Sequence, residues 1–174
     1  MANPASITLV LGGARSGKSR YAESLVTALP APWVYVATAT AGDAEMAARI
    51  AEHRARRGDN WRVMEVPRDL AGALAASPAG SPVLVDCLTL WLSNLMLADA
   101  DIPVEAGRLD RALAQVRVPV VLVANEVGFG IVPDNALARR FRDAQGRLNQ
   151  QVAARASRVV LMVAGLPLVV KGIP

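Results

Sequence analysis

The residues Gly12-Gly13-Ala14-Arg15-Ser16-Gly17-Lys18-Ser19 meet the pattern G-x-x-x-x-G-K-[ST] at every fixed position. In such a loop Gly12 and Gly17 let the backbone bend until successive N–H groups face phosphate oxygens. The positive end of the following helix adds to the anion site. Lys18 then reaches the outer phosphates, and the Ser19 hydroxyl helps to hold a magnesium ion. The pattern therefore implies a nucleoside triphosphate site. Only two of the 19 basic residues are lysine, Lys18 and Lys171. A chain that otherwise uses arginine keeps a compact ammonium where the loop requires one.

Asp86 ends the apolar run Val83-Leu84-Val85. A carboxylate at the end of a strand can hold the magnesium ion, directly or through water. His53 is the only histidine. On a helix from Ala44 to Arg57, Met46, Ile50, His53 and Arg57 fall on one face. Two readings stay open for it: a partly buried helix residue, or an imidazole nucleophile that attacks a triphosphate and carries the nucleotidyl group covalently. Arg54, Arg56 and Arg57 would neutralise phosphates beside it. Glu45–Arg49 and Glu52–Arg56 read as solvated i, i+4 pairs. Glu65 is either a polar residue on an open sheet face or a contact to ribose or base. Asn125 and Glu126 end an apolar strand at the edge where open α/β sheets place ligands, so they are candidates on the substrate side.

These residues need a scaffold, and the chain reads as one α/β domain over residues 1–174 with a mostly parallel sheet. Strands are expected at Ile7–Leu11, Trp33–Ala37, Arg62–Val66, Val83–Asp86 and Val118–Asn125. Helices are expected from about Arg20, from Asp69 to Ala76, from Leu88 to Leu97, from Val104 to Val116, and after Pro133 to about Ala156. Ala98 to Pro103 reads as the most loop-like interior stretch. Val159–Val163 and Leu168–Val170, separated by Gly165-Leu166-Pro167, suggest a terminal antiparallel hairpin. Hydrophobic residues make up 53% of the chain, so a packed core is expected and disorder is not.

The formal charge of +4 comes from dispersed arginines without stacking aromatics. It suits an anionic small substrate as well as it would suit nucleic acid, and no nucleic-acid partner is expected. One cysteine, Cys87, rules out an internal disulfide or a cysteine metal cluster. With no leader-like or transmembrane-length apolar run, a cytoplasmic protein is the expectation.

Taken together in order, several segments resemble the bifunctional adenosylcobinamide kinase/adenosylcobinamide-phosphate guanylyltransferases. They are the loop through Arg20; Glu45-Met46-Ala47-Ala48-Arg49-Ile50-Ala51-Glu52-His53-Arg54; Trp61, Glu65 and Asp86-Cys87-Leu88-Thr89; Asn125-Glu126-Val127-Gly128-Phe129-Gly130-Ile131-Val132-Pro133; and Leu137 to Asp143 with Gly146 to Gln150. The resemblance implies a P-loop NTPase-type fold and two activities. One is phosphorylation of the aminopropanol hydroxyl of adenosylcobinamide by ATP or GTP. The other is GMP transfer from GTP to that phosphate, giving adenosylcobinamide-GDP and pyrophosphate. It places the guanylylated histidine on His53. It places nucleotide contacts on the loop, on Ala37, Thr38 and Ala39, on Arg54, Ala55, Arg56 and Arg57, and on Glu65 and Asp86. It also implies a homotrimer. Relatives often carry Glu where this chain has Asp86, whose shorter side chain reaches magnesium through a bridging water if not directly. Without the resemblance, the residues also admit a monofunctional small-molecule kinase with a structural His53, or a nucleotide-binding regulatory module.

Overall fold

The computed structural model describes residues 6–40 and 58–173. The expected helix from Ala44 to Arg57, with His53 and its neighbouring arginines, lies outside them. Among the described residues the strands are β1 (Ile7–Gly12), β2 (Trp33–Ala37), β3 (Trp61–Glu65), β4 (Val83–Asp86), β5 (Val120–Asn125), β6 (Arg158–Val163) and β7 (Leu166–Lys171). The helices are α1 (Lys18–Thr27), α2 (Leu70–Ala75), α3 (Leu88–Leu97), α4 (Ile102–Gln115) and α5 (Ala136–Arg155). The strands form one sheet in the order β3-β2-β4-β5-β1-β6-β7. All neighbours are parallel except β6 and β7.

The central strands are continuous Val/Leu runs because both of their faces are covered. Successive residues point to opposite faces. Ile7, Leu9, Val83, Val85, Val120 and Leu122 meet Leu70, Leu88, Trp91, Leu92, Leu109, Leu113, Leu148 and Val152 from α2 to α5. Val10, Leu84, Val121, Val123 and Val160 meet Ala22 and Val26 of α1. Each fully buried Leu or Val contributes about 1.5–3 kcal/mol of transfer free energy. The outcome is a rigid sheet whose carboxyl edge is fixed by its own core.

Several boundaries differ from expectation. The loop-like stretch from Ala98 is shorter than it reads, because α4 starts at Ile102. Asp101 caps it by accepting a hydrogen bond from Val104 N (3.0 Å), and Pro103 sits in the first turn, where its missing N–H costs nothing. β5 starts at Val120 rather than Val118. The terminal hairpin turns on Ala164 and Gly165 alone, with φ of 51° and 80°. Two positive φ values match the twist of a two-residue hairpin, so Leu166 and Pro167 belong to β7. Pro167 is tolerated there because β7 is the sheet edge.

Candidate nucleotide site

Gly12, Ala37, Glu65, Asp86 and Asn125 are the last residues of β1 to β5, so the site candidates gather on one sheet edge by topology. The pairings Gly12↔Asn125, Ala37↔Asp86 and Ala37↔Glu65 put them side by side. Gly12 is required by close approach: a Cβ there would collide with Ser16 Oγ and stand 3.0 Å from the Met162 carbonyl. Gly17 is required by its φ of 90°, a left-handed conformation that ends the loop and starts α1. No side chain caps α1 or α3, whereas Asp69, Asp101 and Asn135 cap the other three helices. Both uncapped helices begin at the carboxyl edge, so their orphan N–H groups and positive dipole ends face the same region. That is an anion site made of backbone.

Lys18 Nζ donates to the Gly13 carbonyl at 3.0 Å, bridging the loop across its mouth. Burial lowers the Lys18 ammonium below its ordinary range, while Cys87 and Asp86 push it back up. A bound polyphosphate would also favour the charged form. The loop is braced from outside as well, since Gly165 N in the hairpin turn donates to Ser16 O at 3.1 Å. Sequence reasoning missed this brace, because nothing in either segment announces the other.

Asp86 accepts a hydrogen bond from the Tyr35 hydroxyl at 3.2 Å. Its backbone is held by Thr38, which is fully buried. Thr38 Oγ1 accepts from Cys87 N (2.8 Å) and donates to Cys87 O (2.7 Å), and Thr38 N donates to Asp86 O (3.3 Å). Asn94 Nδ2 then donates to Thr38 O (2.8 Å) and Pro67 O (3.0 Å), tying three segments together. The Thr38 hydroxyl is thus engaged by the peptide next to Asp86. Asn94 was the missed residue here; its signal is an amide inside the apolar helix Leu88–Leu97. Replacing Thr38 by Val would leave Cys87 N buried and unpaired. We expect a loss of about 1–3 kcal/mol in urea unfolding, and an unchanged midpoint would contradict the role given to Thr38.

Cys87 is buried, and burial followed by the nearby Asp86 pushes its thiol up to about 11. It is therefore a neutral thiol at pH 8 and packs as a small apolar group. A disulfide reagent at that pH is expected to leave the native protein unmodified and to label it once in denaturant. Rapid labelling of the native protein would contradict this burial.

Ser19 and Asp86 fit magnesium. The Ser19 hydroxyl is half-buried in the first turn of α1, and Asp86 offers an oxygen beyond the one that Tyr35 holds. Among the described residues no three His, Cys, Asp or Glu side chains cluster as a closed metal cage. Magnesium takes one or two protein oxygens and fills the rest of its shell with phosphate and water. Gly13, Ala14 and Arg15 are exposed along the loop, Ala39 follows Thr38, and Glu65 lies on the outer strand β3. His53, Arg54, Ala55, Arg56 and Arg57 lie outside the described residues. A cavity of about 670 Å³ between α2 and α4, lined by Leu74, Arg108, Arg111 and Val118, lies away from this edge. No described helix is long and apolar enough to cross a membrane.

A sequence model described as cobinamide kinase / cobinamide phosphate guanyltransferase matches residues 8–170. A Pseudomonas aeruginosa protein named bifunctional adenosylcobalamin biosynthesis protein CobP is 50% identical over 169 residues, covering 95% of this chain and 98% of its own length. A Salmonella typhimurium protein named bifunctional adenosylcobalamin biosynthesis protein CobU is 42% identical over 179 residues, with 94% and 98% covered. Among solved structures, a Pyrococcus horikoshii OT3 protein superposes with a TM-score of 0.59 at 8% identity, covering 97% of this chain and 87% of that one. A type III secretion system ATPase superposes with a TM-score of 0.55 at 9% identity, covering 91% and 51%. These two likenesses show the fold, a mostly parallel sheet of the P-loop NTPase kind.

Proposed function

The chain belongs to the cobinamide kinase / cobinamide phosphate guanyltransferase family, and from that premise we propose that it phosphorylates adenosylcobinamide and then guanylylates the product. ATP or GTP supplies the phosphoryl group in the first reaction. In the second, GTP supplies GMP and releases pyrophosphate, giving adenosylcobinamide-GDP. The observation that carries this reading is the loop Gly12–Ser19 opening an uncapped helix beside Asp86 on the same sheet edge.

In the first reaction the loop N–H groups and Lys18 bind the triphosphate and neutralise charge as the γ-phosphoryl group moves. The acceptor hydroxyl oxygen bonds to the γ-phosphorus while the bond to the β-bridging oxygen breaks. Ser19 and Asp86 would hold magnesium, which supplies charge neutralisation at the outer phosphates. In the second reaction a neutral His53 imidazole attacks the α-phosphorus and pyrophosphate leaves. The corrinoid phosphate oxygen then takes the GMP from His53, splitting one hard displacement into two. Arg54, Arg56 and Arg57 balance the phosphate charge, and Ala37, Ala39 and Glu65 contact the nucleotide.

The reading extends to one catalytic domain acting as a homotrimer in the cytoplasm. Apolar residues left in solvent favour association. Leu166, Leu168 and Val170 line one face of the edge strand β7, and Phe129 and Ile131 are 84% and 97% exposed. The function is tested by giving the protein cobinamide with ATP and magnesium, then adding GTP. Cobinamide phosphate should form first and be consumed after GTP is added. An unaltered corrinoid throughout would overturn the reading.

A further inference from the structure

β5 lies between β4, which carries Asp86, and β1, which runs into the phosphate loop. Asp86 pairs with Val123, so Asn125 and Glu126 extend past it at the edge. Glu126 N donates to Gly12 O at 3.1 Å, which fixes this strand end to the root of the loop. Three described strands end in or just before a carboxylate. Glu65 is four strands from β1, and Asp86 is two strands away and engaged by Tyr35. Glu126 directly follows the adjacent strand β5. Gly128 N donates to its Oε1 at 2.9 Å, which orients the carboxylate through one oxygen.

The backbone behind Glu126 is held by buried amides. Asn125 N donates to Thr89 Oγ1 (2.7 Å), and Asn149 Nδ2 donates to Asn125 O (3.2 Å). Gln145 Nε2 donates to Asn149 Oδ1 (2.8 Å). Gln145 is fully buried and Asn149 is 5% exposed, yet Gln145 Oε1 and Asn125 Oδ1 have no partner among the described residues. A half-satisfied polar chain is a poor way to stabilise a core, because leucine would fill the same helix face without desolvated amides. Its placement behind one strand end suggests a positioning role.

We infer that Glu126 accepts the proton of the attacking hydroxyl in the phosphorylation reaction, and that Gln145 and Asn149 are positioning residues for it. This rests on the function proposed above. As the hydroxyl oxygen bonds to the γ-phosphorus, its proton passes to Glu126 Oε2, and the electron pair of the breaking bond leaves with the nucleoside diphosphate. The second reaction needs no such base. Its acceptor is a phosphate monoester, whose second pKa is about 6, so it is already an anionic nucleophile at pH 7. The two reactions therefore separate at this residue.

The test measures both reactions for Glu126→Gln, giving cobinamide to one sample and cobinamide phosphate with GTP to another. Phosphorylation should fall by about 10²- to 10³-fold in kcat with KM little changed, while guanylyl transfer stays within about threefold. Gln145→Leu should melt no lower than the wild type and still lose phosphorylation selectively, by about tenfold. Equal losses in both reactions would make Glu126 a prop for its loop, and intact phosphorylation would remove it from the chemistry. Either result overturns the inference. If the wild type phosphorylates no cobinamide, the proposed function itself has failed.

Discussion

Lys18→Ala is expected to lower kcat/KM of both phosphorylation and guanylyl transfer by about 10²- to 10³-fold, or roughly 3–4 kcal/mol of transition-state stabilisation. Both reactions place a triphosphate on the same loop and both develop charge on its outer oxygens. In the proposed mechanism Lys18 would face the transferred group in the first reaction and the departing pyrophosphate in the second. Lys18→Arg should not rescue either, because a planar guanidinium does not replace a compact ammonium beside the Gly13 carbonyl. The fold should not suffer. Burial lowers the Lys18 pKa, so the folded chain holds this proton less tightly than the unfolded chain. That cost to stability is fully present below the folded pKa and fades as pH rises from there to the unfolded pKa, and alanine removes it. Steady-state rates of the two reactions and a melting curve check all three points. Loss of only one activity would mean that the reactions use separate phosphate sites.

His53→Ala is expected to separate the activities in the opposite sense to Glu126→Gln. Guanylyl transfer should fall by at least about 10³-fold, because a covalent nucleophile has no substitute at that position. Phosphorylation should stay within about threefold, since it needs no covalent nucleotide. With GTP labelled at the α-phosphorus, the wild type should retain acid-labile, base-stable label on the protein and the variant none. Equal labelling of the variant would place the nucleophile elsewhere.

The loop was legible because its residue types are dictated by backbone geometry. Gly17 must take a positive φ, Gly12 must admit Ser16, and both needs are written in the sequence. The strands β2 and β4 were legible to the residue, since unbroken apolar runs bounded by turns leave little choice. Asp86 was legible as the polar end of such a run. The contacts that fix these residues were not. Thr38 holding the Asp86–Cys87 backbone, Gly165 bracing Ser16, and Asn149 reaching Asn125 join segments far apart in sequence. No local periodicity carries such pairings. The only trace of them is a polar residue where an apolar one is due: Asn94 in α3, and Gln145 and Asn149 on the inner face of α5. The helix α4 starts two residues before the expected Val104, because Asp101 caps it and Pro103 fits its first turn. The identity of the acceptor was not legible from the loop, which serves any triphosphate. It came from residues along the whole chain.

The most direct measurement follows both labels of GTP into the corrinoid. The protein is incubated with cobinamide, magnesium and GTP labelled at the γ-phosphorus in one sample and at the α-phosphorus in another, and the corrinoids are separated. One product carrying label from both samples, in adjacent phosphates, is the expected result. The γ label arrives by phosphorylation and the α label by guanylyl transfer. A corrinoid that takes up γ label and never α label would contradict the central claim, leaving a kinase without the second reaction.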